Sequence, residues 1–132
     1  MEETTKDRLK IMIIEDEEDI LILYNDYLSS KGHQVINRYL NADSIMSDIE
    51  KDTPDIYLID YRLLGNKNGI DAAIEILNKF PSSPIVFITA FELLDREISK
   101  HPIFYDKNID VLLKPVKLNE IENSILNLLN KN

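Results

Sequence analysis

The sequence contains no cysteine, and its three glycines and five prolines stand singly along the 132 residues. The absence of cysteine excludes disulfide bonds, a thiol nucleophile and any thiolate metal site. No apolar run approaches the roughly 18 to 20 residues that a membrane-spanning helix needs. Residues 1–10 are charged and polar rather than signal-like. We therefore expect a cytoplasmic protein with no membrane association.

Positive charge is also in the minority. The chain has 15 lysines and arginines and 24 aspartates and glutamates, which gives a formal net charge of -9. Nucleic-acid surfaces need clustered lysine and arginine against the phosphate backbone, so this balance argues against a nucleic-acid partner. A domain this acidic is better suited to meet proteins or to hold cations. The length is that of one ordinary domain, without repeats or low-complexity segments.

Short apolar segments recur along the chain and predict strands. Apolar runs without polar alternation are typical of parallel sheets that are covered by helices on both faces. The predicted strands comprise residues 10–14, 34–39, 56–59, 85–88 and 109–113, of which 34–39 alternates and is typical of an edge strand. Apolar residues at helical spacing follow each strand, at residues 20–28, 42–49, 70–77, 92–100 and 118–129.

This fivefold alternation of strand and helix predicts an α/β fold. Right-handed crossovers favour a doubly wound, five-stranded parallel sheet in the flavodoxin-like order 2-1-3-4-5, with helices on both faces. We expect one domain over residues 10–132, preceded by a flexible lead-in at residues 1–9. In this order the first and third strands are neighbours at the switch point, where open α/β sheets bind their ligands.

Polar side chains follow four of these strands and should therefore share one edge of the sheet. They are Glu15 and Asp16 after the first strand, Asp60 after the third, Thr89 after the fourth and Lys114 after the fifth. Three carboxylates at about 4 to 6 Å repel one another unless a cation intervenes. Oxygen ligands that are few and open to solvent suit Mg²⁺ with several retained waters, so we expect a magnesium site here.

With a metal in place, one carboxylate is free to act as a nucleophile toward phosphorus. Asp60 is the candidate, because it stands at the switch point beside a loop that contains Gly65 and Gly69. A phosphoryl group spreads negative charge over its oxygens and needs positive or hydrogen-bonding neighbours. Lys114 and the Thr89 hydroxyl could each supply one such contact.

Each of these residues also has a purely structural interpretation. Glu15 and Asp16 could be charges that favour the start of a helix. Asp60 could simply end a strand, Thr89 could be an ordinary strand-end hydroxyl, and Lys114 a solvated lysine before a turn. The order of the motifs along the chain favours the functional interpretation.

Taken together, the motifs resemble the receiver domain of two-component response regulators across about residues 10–129. The residues that resemble it are Glu15-Asp16, Asp60, Thr89-Ala90 and Lys114-Pro115. The resemblance implies that Asp60 is the phosphoacceptor and that Thr89 and Lys114 assist the transfer. It also implies a cis peptide bond between Lys114 and Pro115.

The resemblance further implies a set of ligands for Mg²⁺. Asp16 would bind the ion directly, and Glu15 would act largely through water. Asp60 and the backbone carbonyl of Arg62 would complete the protein ligands.

Because the last predicted helix takes up the end of the chain, we expect a stand-alone receiver, that is, a single-domain response regulator. It would accept a phosphoryl group from a histidine kinase or phosphotransfer protein and signal to a downstream protein, as a switch rather than an enzyme. We expect a monomer or weak homodimer. Two alternatives stay open. One is a pseudo-receiver that binds proteins without phosphorylation, and the other is a small flavodoxin-like enzyme or nucleotide binder, disfavoured by the lack of a glycine-rich phosphate loop.

The chain departs from the receiver pattern in the loop after Asp60 and in the last strand. The loop up to Gly69 is one residue longer than the commonest spacing, and Leu64 stands where proline is frequent. Val111 stands where many receivers have a switching aromatic ring. A signal relay would therefore need another route, such as displacement of the loop that contains Phe91.

The segment at residues 99–108 is longer than is usual in receivers. Its Phe104 and Tyr105 could form a contact with a partner, or they could pack beneath the segment. We therefore expect an unusual choice of partner on this side of the domain.

Overall fold

Strands and helices alternate along the chain in the computed structural model, which describes residues 8–39 and 45–130. Within these ranges the strands are β1 (Lys10–Ile14), β2 (Gln34–Tyr39), β3 (Ile56–Ile59), β4 (Ile85–Thr89) and β5 (Ile109–Leu113). The helices are α1 (Glu18–Ser30), α2 (Met46–Lys51), α3 (Gly69–Lys79), α4 (Leu94–Ser99) and α5 (Leu118–Leu129), with a 3₁₀ turn at Pro102–Phe104. None of these helices is long and apolar enough to cross a membrane.

The strands form one parallel sheet in the order β2-β1-β3-β4-β5, which confirms the predicted fold and strand order. Ile14 at the end of β1 lies opposite Ile59 at the end of β3. The residues that follow them, Glu15 and Asp60, therefore leave the sheet side by side. β4 lies between β3 and β5, so its end shares the same edge of the sheet.

Both faces of the sheet are apolar, which explains why the strands lack polar alternation. Successive residues of a strand point to opposite faces. Tyr57 and Ile59 of β3 pack with residues of α2, α3 and α4, whereas Ile56 and Leu58 pack with residues of α1 and α5. All four are at most 1% exposed, and burial of such a side chain contributes about 1.5 to 3 kcal/mol. The sheet is thus held by packing on both sides.

Two of the predicted segments fall partly outside the described residues. These are residues 42–44 of the second predicted helix and residues 1–7 of the predicted lead-in. Leu9, the last residue of that lead-in, is buried at 3% exposure. Its N–H donates to Nδ1 of His33 at 3.2 Å, which ties the start of β1 to the loop before β2.

The two aromatic residues of the segment between α4 and β5 lie in different environments. Phe104 is 6% exposed, and its ring meets that of Phe87 edge to face at 6.3 Å, so Phe104 packs beneath the segment. Tyr105 is 65% exposed. Of the two, Tyr105 is the one that a partner could reach.

Candidate functional site

The carboxyl ends of four strands bring the predicted site residues to one edge of the sheet. The Asp60 N–H donates to the carbonyl oxygen of Ile14 at 3.0 Å, which extends the β1–β3 pairing by one residue. In the same way the Lys114 N–H donates to the carbonyl oxygen of Thr89 at 2.8 Å, beyond the end of β5. Backbone hydrogen bonds therefore fix the positions of Asp60 and Lys114 independently of their side-chain contacts.

Lys114 forms a buried ion-pair network with two of the carboxylates. Its Nζ lies 3.0 Å from Glu15 Oε1 and 3.1 Å from Asp60 Oδ2. The side chains of Glu15, Asp60 and Lys114 are 2%, 7% and 17% exposed. Glu17 is more distant, at 4.0 Å, and is largely exposed. Hydrogen bonds between ionised groups are strong. Removal of one of these side chains would leave a buried charge without its partner, so the three side chains stabilise one another.

The network changes the acidity of two of its members. Burial and the negative charge of Asp60 raise the pKa of Glu15 to about 7, although the hydrogen bond from Lys114 opposes the rise. Burial by itself would lower the pKa of Lys114, but the hydrogen bonds and charges of Glu15 and Asp60 outweigh it and raise that pKa. Lys114 therefore stays positively charged at neutral pH, whereas Glu15 titrates in that range.

The same carboxylates have the composition of a site for a hard divalent cation. Glu15, Asp16 and Asp60 each offer a carboxylate oxygen, and these oxygens lie within 4.8 Å of one another. Three carboxylates outnumber the ammonium group of Lys114, so negative charge remains to be balanced. An all-oxygen set with few protein ligands fits Mg²⁺ with retained waters.

Two further expectations concern the backbone around the site. The peptide bond between Lys114 and Pro115 is cis, as the resemblance implied. Arg62 lies in the exposed loop between β3 and α3. The role of its carbonyl oxygen as a metal ligand stays a prediction.

Thr89 ends β4, the neighbour of the strand that precedes Asp60. It is 1% exposed, and its Oγ1 accepts a hydrogen bond from the Phe91 N–H at 3.2 Å. A hydroxyl group has one proton and two lone pairs, so this bond leaves the proton of Thr89 available for another acceptor. The next residue, Ala90, is small and exposed.

Gly69 has a role that sequence reasoning missed, because the loop that contains it was noted only for its place beside Asp60. A Cβ atom on Gly69 would lie 2.3 Å from the Asp60 carbonyl oxygen and 2.8 Å from the Tyr61 Cα. The Gly69 N–H donates to the Tyr61 carbonyl at 2.7 Å. The Asn68 side chain accepts from the Asp71 N–H and caps the helix. The missing side chain thus lets α3 begin directly against the backbone of Asp60.

Sequence reasoning also missed one aromatic contact beside the site. The rings of Tyr61 and Phe91 stack with 4.8 Å between their centroids and 23° between their planes. Tyr61 follows Asp60 directly, and Phe91 lies two residues after Thr89. The signal in the sequence was an aromatic residue at each position, but no local pattern indicated that the two rings meet.

Removal of the Lys114 charge is expected to destabilise the protein. In Lys114→Met, the buried carboxylates of Glu15 and Asp60 lose their cation, and we expect the free energy of unfolding to fall by about 2 kcal/mol. Urea denaturation at a pH above the Glu15 pKa, in the presence of a chelator, measures the loss. Added Mg²⁺ should recover part of it, because the ion balances the same carboxylates.

The matched control for this measurement is Lys79→Met. Lys79 pairs with Glu50 at 2.7 Å, but both side chains are about half exposed, and such surface pairs contribute about 0 to 1 kcal/mol. Equal losses in the two variants would contradict the importance of the buried network.

Comparisons with known proteins identify the family of the chain. A family model described as the response regulator receiver domain matches residues 11–126. The chain is 26% identical over 115 residues to the transcriptional regulatory protein RprY of Bacteroides fragilis, covering 87% of this chain and 47% of RprY. It is 31% identical over 83 residues to the phyllosphere-induced regulator PhyR of Methylorubrum extorquens, covering 62% of this chain and 31% of PhyR. The chain spans less than half the length of each of these relatives.

Solved structures show the same fold. The solution NMR structure of the REC domain of the PhyR response regulator from Erythrobacter litoralis aligns with a TM-score of 0.77 at 26% identity, covering 95% of both chains. The crystal structure of the response regulator PhyR from Brucella abortus aligns with a TM-score of 0.72 at 30% identity, covering 89% of this chain and 46% of that one.

Proposed function

Because the chain belongs to the response regulator receiver family, we propose that it accepts a phosphoryl group on Asp60 from a histidine kinase or a phosphotransfer protein. The main support is the geometry at the edge of the sheet. The Asp60 carboxylate lies 3.1 Å from Lys114 Nζ and offers an oxygen within 4.8 Å of those of Glu15 and Asp16. Its side chain keeps 7% exposure, which leaves a narrow approach from solvent.

In the proposed step, a carboxylate oxygen of Asp60 attacks the phosphorus atom of a donor phosphohistidine. A bond forms between that oxygen and phosphorus while the phosphorus–nitrogen bond breaks, and the departing imidazole takes up a proton. Lys114 is near enough to pair with a phosphoryl oxygen, and Thr89 has a proton to donate. A bound Mg²⁺, held by Glu15, Asp16 and Asp60, would supply positive charge for the remaining phosphoryl oxygens.

The signal would arise from the new contacts that the phosphoryl group makes. Lys114 would exchange its bond to an Asp60 oxygen for one to a phosphoryl oxygen, and the loops at the edge of the sheet would shift between two packings. Leu113 precedes Lys114 and is 47% exposed, and Leu93, directly before α4, is 49% exposed. Exposed apolar side chains near the loops at this edge of the sheet suit the binding of a downstream protein.

The test of this proposal is the intact mass of the protein after incubation with a small phosphodonor. We expect the mass of one added phosphoryl group in the presence of Mg²⁺ and none with a chelator. Borohydride reduces an aspartyl phosphate to homoserine, so peptide masses after reduction would locate the modified residue. An unmodified wild-type protein would contradict the proposal and favour a scaffold that works unphosphorylated.

A further inference from the structure

The stacked rings of Tyr61 and Phe91 connect the loop that follows Asp60 with the loop that follows Thr89. The two stacked rings are partly buried, and they pack against the apolar layer between the sheet and helices α2 to α4. A stacked aromatic pair adds a directional attraction beyond the burial of the same area. The position of one loop therefore depends on the position of the other.

The backbone of Phe91 in turn holds the hydroxyl of Thr89. Its N–H donates to Thr89 Oγ1 at 3.2 Å, in a site where Thr89 is 1% exposed. This bond occupies one lone pair of the hydroxyl and limits the directions in which its proton can point. A displacement of Phe91 would therefore change the direction in which Thr89 donates.

We propose that Tyr61 and Phe91 are a pair of positioning residues that preorganise Thr89 for contact with a phosphoryl group on Asp60. This inference rests on the proposed function. Without the ring of Phe91 or of Tyr61, the loop after β4 loses its stacking contact with the loop after β3. Thr89 then has to be ordered when the phosphoryl group arrives, and that ordering weakens the interaction.

The test measures the affinity of the full chain for beryllium fluoride, a small phosphoryl mimic, in the presence of Mg²⁺. We expect Phe91→Leu and Tyr61→Leu each to weaken binding by about threefold to tenfold, as the attraction within a stacked pair suggests. The double variant should bind no more weakly than the weaker single variant, because either substitution already removes the stack.

Two further variants separate positioning from a general loss of packing. Phe91→Tyr keeps the ring and should bind the mimic with the wild-type affinity, in contrast to Phe91→Leu. Tyr105→Leu makes the same kind of change at an aromatic residue that is 65% exposed and outside the site, and should leave the affinity unchanged. In NMR spectra, the three-bond couplings that report the χ1 angle of Thr89 should change in both stack variants and stay the same in Tyr105→Leu.

Each outcome of this experiment has a definite meaning. If the wild type binds the mimic and the stack variants bind equally well, the inference fails and the proposed function stands. If the fold-loss of affinity in the double variant equals the product of the two single fold-losses, the rings act independently, and the inference fails again. A wild-type protein that does not bind the mimic contradicts both the proposed function and the inference.

Discussion

Asp60→Asn is expected to take up no phosphoryl group from a small phosphodonor, even with Mg²⁺ present. A carboxylate attacks phosphorus through an oxygen that bears negative charge. The carboxamide has no such charge, and the lone pair of its nitrogen is delocalised into the carbonyl group. The two side chains have nearly the same size, so the change removes the nucleophile without opening a cavity. Intact mass after incubation measures the effect directly.

The variant should remain folded, so that lost uptake cannot be ascribed to unfolding. The carboxamide oxygen can still accept a hydrogen bond from Lys114, which lies 3.1 Å from the Asp60 carboxylate. One fewer carboxylate also reduces the repulsion with Glu15 and Asp16. We therefore expect a thermal unfolding midpoint, followed by circular dichroism, that equals or exceeds that of the wild type.

Asp19→Asn is the matched control for this experiment. Asp19 is exposed in the first turn of α1, and it undergoes the same chemical change outside the site. Its uptake should equal that of the wild type. If Asp60→Asn takes up a phosphoryl group at the wild-type rate, another residue is the acceptor and the proposed function of Asp60 is wrong.

Gly69→Ala is expected to lower the free energy of unfolding by about 3 kcal/mol, as large steric insertions do. The new Cβ would lie 2.3 Å from the Asp60 carbonyl oxygen and 2.8 Å from the Tyr61 Cα. Both are backbone atoms, so no side-chain rotation can relieve the clash, and α3 has to move away. The better helix propensity of alanine offsets about 1 kcal/mol at most. Urea denaturation measures the difference.

Gly32→Ala provides the comparison. Gly32 has φ +91°, and a Cβ there meets no atom within 4 Å. Its substitution should cost about 1 kcal/mol, through the left-handed backbone conformation alone. If Gly69→Ala were no more harmful than Gly32→Ala, α3 would be free to shift, and close packing behind Asp60 would not be required.

The fold could be predicted from local patterns. Uniformly apolar strands such as Ile56–Ile59 have to be covered on both faces, and alternation with helices leaves few ways to connect them. Parallel strands place their carboxyl ends together, so Glu15, Asp60 and Lys114 could be assigned to one edge from their positions after strands. These conclusions need only the order of segments along the chain.

The contacts within that edge required the folded chain, because they join residues far apart in sequence at distances of a few ångströms. Glu15 and Lys114 are 99 residues apart and meet at 3.0 Å. The raised pKa of Glu15 comes from burial and the charge of Asp60, which depend on how the strand ends pack. The stack of Tyr61 on Phe91 depends in the same way on the packing of two loops. Patterns of residue type determine which segments are strands and helices, whereas the packing of loops and side chains sets the distances on which ion pairing and stacking depend.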